Sequence, residues 1–325
     1  MPADAPSETF LCTHCGERLP AARRSVEHPL SQAIGGQGWS TSDVCDACNA
    51  RGGREVDGPF ASEPFILAAR HRHRVPDSRG EVLSAPRLYG KLENGLPMYV
   101  ELGRDGASVH RVPAPEHRDE SSERYTVDVG EAEALVRKRI ERIRAQRGDS
   151  VEVDFTIETV RQPEAVGNIA YSLKTSLWPR FGAKVGLTFG RELLGESWLS
   201  APQAAHLRDV LAGGESEPAE GLPPLSPLWD DVEPDDLYHQ VLAPPPAHLL
   251  MAVSTERGVG LLLQLFGEFR YRIPLSPARC EEVHNRAWIF DPIVRSARET
   301  TLSGLVETAI RRKGPDALAS LAFPS

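Results

Sequence analysis

Residues 12–57 read CTHCGERLPAARRSVEHPLSQAIGGQGWSTSDVCDACNARGGREVD, and the fold is decided in this stretch. Two Cys-X-X-Cys pairs, Cys12/Cys15 and Cys45/Cys48, frame residues 16–44. In a reducing compartment, two such pairs read as a tetrahedral structural zinc site far more readily than as disulfides. Gly16 follows the first pair and tolerates the positive φ of a tight knuckle. Zinc bound by thiolates contributes on the order of 10–16 kcal/mol of folding free energy, enough to hold a small unit with little apolar core. A disulfide oxidoreductase using Cys12/Cys15 would leave the second pair without a role. His14, inside the first knuckle, reads as an exposed loop residue.

The remaining composition narrows the class. The chain has 325 residues and five cysteines, so Cys280 stands alone and reads as an inert core thiol. With 37 Lys+Arg against 46 Asp+Glu the net charge is −9, which opposes coating nucleic acid by bulk attraction and demands a local basic patch. At 40% hydrophobic and 26% charged residues the chain has enough apolar material for a packed core. No run approaches the 18 or so apolar residues of a membrane span. The opening MPADAPSETF lacks the basic and apolar regions of a secretory signal, so the expected compartment is the cytoplasm.

The quoted stretch resembles the HNH endonucleases (the ββα-metal or His-Me finger nucleases), in particular bacterial members stapled by paired CxxC knuckles. The matching elements are Glu27-His28-Pro29, the Gly35-Gly36 turn, Cys48-Asn49 and Asp57, in that order. The resemblance covers roughly residues 10–60 and implies a metal-dependent hydrolysis of phosphodiester bonds. That reaction needs an activated water and a cation on the developing charge. His28 takes the place of the general base, since a neutral imidazole accepts a proton from water at cellular pH. Glu27 takes the place of a metal ligand. Asn49 either orders the His-bearing loop or reaches the metal. Asp57 closes the motif as the second ligand, with Glu55 as the alternative carboxylate. Oxygen donors favour Mg²⁺ or Mn²⁺ at that catalytic position. Neighbouring strand residues point to opposite faces, so Glu27 and His28 serve together only where the strand ends, and Pro29 fits an ending. DNA is expected ahead of RNA as substrate, with restriction or phage defence as the family's habit. Double-strand cleavage would suggest a homodimer. The competing class is a non-catalytic zinc module that binds nucleic acid or protein.

The expected fold class is α+β: a zinc-stapled ββα-metal finger over 1–63, followed by a larger mixed body. That body divides into a middle region, 64–212, a Pro- and acid-rich linker, 213–248, and a C-terminal α+β region, 249–325. Asn94-Gly95 and Asp105-Gly106 punctuate three strands near 87–112. Helices are expected over 130–147, with Val136, Ile140 and Ile143 inward, over 163–178, ended by Pro179, and over 202–211, stopped at Gly213. A half-buried strand is expected at Val151–Ile157, three more near 249–273, and a last helix over 300–313. The segment Arg70-His71-Arg72-His73-Arg74 and the helix residues Arg137, Lys138 and Arg142 are the expected nucleic-acid contacts, because residues 64–190 are the only third with a positive balance.

Overall fold

The computed structural model describes residues 8–77, 79–92, 95–113, 115–118, 123–125, 129–147, 156, 167–168, 174–227, 243, 245–283 and 285–313. The chain gathers into two compact units, one formed by 1–84 with 173–325, the other by 85–172. The expected finger of 1–63 is thus the N-terminal part of the larger unit. The mixed α+β class is as expected.

The larger unit begins with β1 (Thr9–Leu11) and β2 (Arg18–Pro20), an antiparallel hairpin whose turn is the first Cys knuckle. Next come β3 (Arg24–Glu27), β4 (Thr41–Cys45) and α1 (Asp46–Gly52), with β3 and β4 antiparallel. The helical run continues through a π turn, Gly53–Asp57, into the short α2 (Gly58–Ala61), and α3 (Pro64–Arg72) follows. Gly52-Gly53 therefore does not break the helix. It sits where the run widens into the π turn.

The smaller unit holds β5 (Arg87–Leu92), β6 (Pro97–Gly103) and β7 (Gly106–Arg111), a meander at the expected turns. It continues through the hairpin of β8 (Pro115–Arg118) and β9 (Glu123–Tyr125), then α4 (Val129–Arg147) and β10 (Gly167–Asn168), which pairs with β5. Val136, Ile140 and Ile143 are half-buried on α4, while Arg137, Lys138 and Arg142 are exposed.

The chain returns to the larger unit with α5 (Leu177–Leu194) and α6 (Pro202–Ala212), the latter ended by Gly213 in the left-handed conformation. A six-stranded antiparallel sheet follows, built from β11 (Ser226–Pro227), β12 (His248–Thr255), β13 (Gly258–Leu265), β14 (Phe269–Ser276), β15 (Arg286–Asp291) and β16 (Ser296–Thr301) in the order β11-β14-β13-β12-β15-β16. The last helix is α7 (Leu302–Lys313). Alternation along β12 explains its unbroken apolar run. Leu250 and Ala252 enter the main core with α5 and α6, while Leu249 and Met251 pack with Leu305 and Ala309 of α7.

Three expectations are corrected here. The helix expected over 163–178 falls largely outside the described residues; where the chain is described, 167–168 is a strand and the helix begins at Leu177. Pro179 does not end a helix but lies in the first turn of α5, where a missing N–H is no loss. The β15–β16 hairpin was not expected at all. The strand expected at Val151–Ile157 and the acidic run 230–236 lie outside the described residues, Thr156 excepted.

Helix α5 is buried on nearly every side from Phe181 to Gly190. A Cβ at Gly186 would lie 2.6 Å from Ile273, and one at Gly190 would lie 2.3 Å from the Trp198 ring, so glycine lets sheet and ring approach the helix axis. The N-terminal segment shares this core: Leu30, Ile34, Val56 and Phe60 pack in it, and Phe60 stacks on Phe181 with ring centroids 4.0 Å apart.

Candidate functional site

The two Cys-X-X-Cys knuckles have a core of their own that is very small: Phe10, Val44 and the cysteines, with Leu19 at its edge. So little apolar burial needs another source of stability. The four Sγ atoms of Cys12, Cys15, Cys45 and Cys48 lie within 4.8 Å of one another, close to the ~3.8 Å edge of a tetrahedron with Zn–S near 2.3 Å. Cys45 ends β4 and caps α1, which places Cys48 in the first helical turn. Backbone amides serve the sulfurs: Cys45 N–H donates to Cys12 Sγ at 3.3 Å and Cys48 N–H to Cys45 Sγ at 3.4 Å. Arg51 donates to Cys48 Sγ at 3.7 Å. Bonding to Cys48 draws the Cys12 thiol down to about 4, whereas burial holds Cys15 up at about 11. The donor set fits a zinc ion. The segment β3-β4-α1 around it has a ββα order.

His14 is buried, not the exposed loop residue expected, because the knuckle closes over it. Burial, helped by the charges of Lys184 and Arg51, pulls its pKa to about 3, so it is a neutral ring.

His28 directly follows the end of β3, and Pro29 and Leu30 behind it are buried. Its Nδ1 lies 3.1 Å from the Trp39 carbonyl oxygen. A carbonyl only accepts, so Nδ1 carries the proton and Nε2 keeps its lone pair. Trp39 is fixed in turn, its ring stacked on Phe189 of α5 at 4.7 Å. Asn49 reaches back from α1 to β3 and donates from Nδ2 to the Val26 carbonyl and to Ser25 Oγ, each at 2.7 Å. It ties α1 to β3 just before His28.

Glu27 and Asp57 are brought together, but around a residue that the sequence reading missed. Lys184 Nζ of α5 lies 2.5 Å from Glu27 Oε1 and donates to Asp57 Oδ2 at 2.7 Å, Asp57 Oδ1 at 2.8 Å and the His28 carbonyl at 3.0 Å. The Lys184 side chain is 0% exposed and that of Glu27 2%, against 16% for Asp57. Desolvation opposes the ammonium, but Asp57 and Glu27 outweigh it and raise the Lys184 pKa above the usual lysine range. For Glu27, burial wins over the neighbouring ammonium and raises the carboxyl. The π turn aims Asp57 at α5, while Glu55 is turned outward to Arg180 at 3.2 Å. A signal was present in the sequence: a lysine amid Phe181, Val185, Leu187 and Phe189 has no solvated face to occupy.

Of the expected basic contacts, Arg70 is buried and directs its guanidinium to the Ala61 carbonyl, so it is no surface charge. Arg72 is paired with Glu268, which also holds His73, and Arg74 is exposed. Cys280 is half-buried against the main core. Among the described residues, no helix is long and apolar enough to cross a membrane. No family model matches the chain, and neither a curated protein nor a solved structure is similar to it.

Proposed function

We propose that the chain hydrolyses phosphodiester bonds in nucleic acid, DNA ahead of RNA, as an HNH-type endonuclease. The observation that carries this reading is the mount of His28. Its protonated Nδ1 is tied to Trp39, its strand is clamped by Asn49, and Nε2 is left as a proton acceptor at the end of a zinc-stapled ββα segment. In that geometry His28 takes a proton from the attacking water, and the buried shell behind it keeps the ring from turning. The exposed Arg74, and Arg137, Lys138 and Arg142 on α4, supply phosphate contacts that make binding weaken with salt. Restriction or phage defence, and pairing of two chains for double-strand breaks, belong to this proposal.

The Mg²⁺ or Mn²⁺ implied at Glu27 and Asp57 does not fit the donor set as built, because an ammonium already lies at hydrogen-bonding distance of both carboxylates. The same triad favours a second reading, a zinc module that binds nucleic acid without cutting it.

The deciding experiment incubates zinc-loaded protein with supercoiled plasmid, phage DNA and RNA, with and without added Mg²⁺ or Mn²⁺. Nicking that falls by about 10²-fold or more in His28→Ala, with zinc content unchanged, supports the nuclease. Equal cleavage by His28→Ala refutes the assigned role. Absence of cleavage on every substrate, with binding retained, selects the zinc module.

A further inference from the structure

We propose that Lys184 is the resident cation of the finger, a side chain occupying the position in which a divalent ion would sit between Glu27 and Asp57. Lys184 Nζ donates to both Asp57 carboxylate oxygens and to the His28 carbonyl and stands in ion-pair contact with Glu27, so it has no donor to spare. Mg²⁺ sheds its water reluctantly and usually keeps several molecules, whereas the Lys184 and Glu27 side chains are 0% and 2% exposed. Adding a divalent ion would set three positive charges against two carboxylates, one of them almost fully buried. Nor has the lysine a way out, because the stretch of helix on which it stands is buried from Phe181 to Gly190.

A buried ion pair adds little over an apolar substitute, but losing one partner is costly because the other charge is stranded. Lys184 therefore couples α5 to both carboxylates and to the backbone of His28. The coupling holds whether or not the chain cleaves nucleic acid, and metal uptake and cleavage fail in separate assays.

The test uses the full, zinc-loaded chain and Mn²⁺ as probe, with bound ion read from the loss of the free-Mn²⁺ electron paramagnetic resonance signal. Wild type and Asp57→Asn should show the same Mn²⁺ uptake, with no site that depends on Asp57. Lys184→Met removes the ammonium and should gain one Mn²⁺ per chain. Mn²⁺ at about 100-fold over its Kd should then raise the melting temperature by roughly 5–10 °C. Adding Asp57→Asn to Lys184→Met should abolish both effects. One Mn²⁺ bound by wild type and lost in Asp57→Asn overturns the proposal, as does a folded Lys184→Met that takes up none. If Lys184→Met does not fold under any condition, the comparison of wild type with Asp57→Asn decides alone.

Discussion

Lowering the pH from 7 to 5 should cost the larger unit about 2 kcal/mol through His248 alone. This ring lies at the start of β12 and is fully buried. Its Nε2 donates to the Ile34 carbonyl at 2.8 Å, and its Nδ1 accepts the Phe266 amide N–H at 3.1 Å, an arrangement that only the neutral ring satisfies. Burial lowers its pKa from 6.5 to about 4, assisted by His73 and opposed by the Ile34 carbonyl and Asp291. Because the folded value is depressed, the unfolded chain takes up the proton first as the pH falls. The stabilisation is thus fully present above 6.5 and is lost between 6.5 and about 4. Integrating those two values gives a loss near 0.2 kcal/mol at pH 7, about 2 at pH 5, and a limit of about 3.4 below pH 4. At roughly 2–4 °C per kcal/mol, the melting temperature should fall by about 4–8 °C. The assay is urea unfolding at both pH values followed by tryptophan fluorescence. The four described tryptophans, Trp39, Trp178, Trp198 and Trp288, belong to the larger unit, and 85–172 contains no tryptophan. His248→Gln keeps a donor and an acceptor but does not titrate, so the wild type should lose about 2 kcal/mol more than this variant over the same interval. Carboxylates that titrate in both proteins cancel in the difference. Equal losses would refute the reasoning.

Two further outcomes follow from the same geometry. Cys45→Ser removes a sulfur that also caps α1 and accepts the Cys48 amide, so zinc content should fall from one per chain and the segment around 9–52 should lose its circular dichroism signal; full zinc retention would show that the thiolate cluster is not the ligand set. Gly38→Ala places a Cβ 2.2 Å from Ala297 N at φ +106°, a steric and backbone cost of about 2–4 kcal/mol; Gly106→Ala, at φ +129° with open space around it, should cost less in thermal melts.

Much of the scaffold was readable because it depends on local chemistry. Cysteine spacing located the four-cysteine cluster, the turns at Gly95 and Asp105-Gly106 set the meander, and Gly213 ended α6. His28, Asn49 and the carboxylates of Glu27 and Asp57 were singled out by their order in a short motif, and the fold does bring them to one region. What escaped reading was long-range. Pro179 looks the same in sequence whether it closes a helix or opens one, and only the packing of Trp178 and Phe181 against Tyr271 settles which. Lys184 was overlooked because its partners are more than 120 positions away, and a lone lysine advertises nothing until its helix is known to be buried all round. Arg70 failed as a surface charge for the converse reason: a basic run on a helix that docks by one face must bury some of its members.

Lys184 also sets an order of events at the ribosome. His28 and the lysine that bonds its carbonyl are separated by 156 positions. At roughly 5–20 residues per second, about 8–30 s pass between the emergence of the two. During that interval the knuckles are complete and free to take zinc, while Glu27 and Asp57 remain hydrated and uncompensated. All four cysteines are therefore available before Lys184 exists, and a chain that stalls before α5 holds the cysteine cluster without the lysine that ties Glu27 to Asp57.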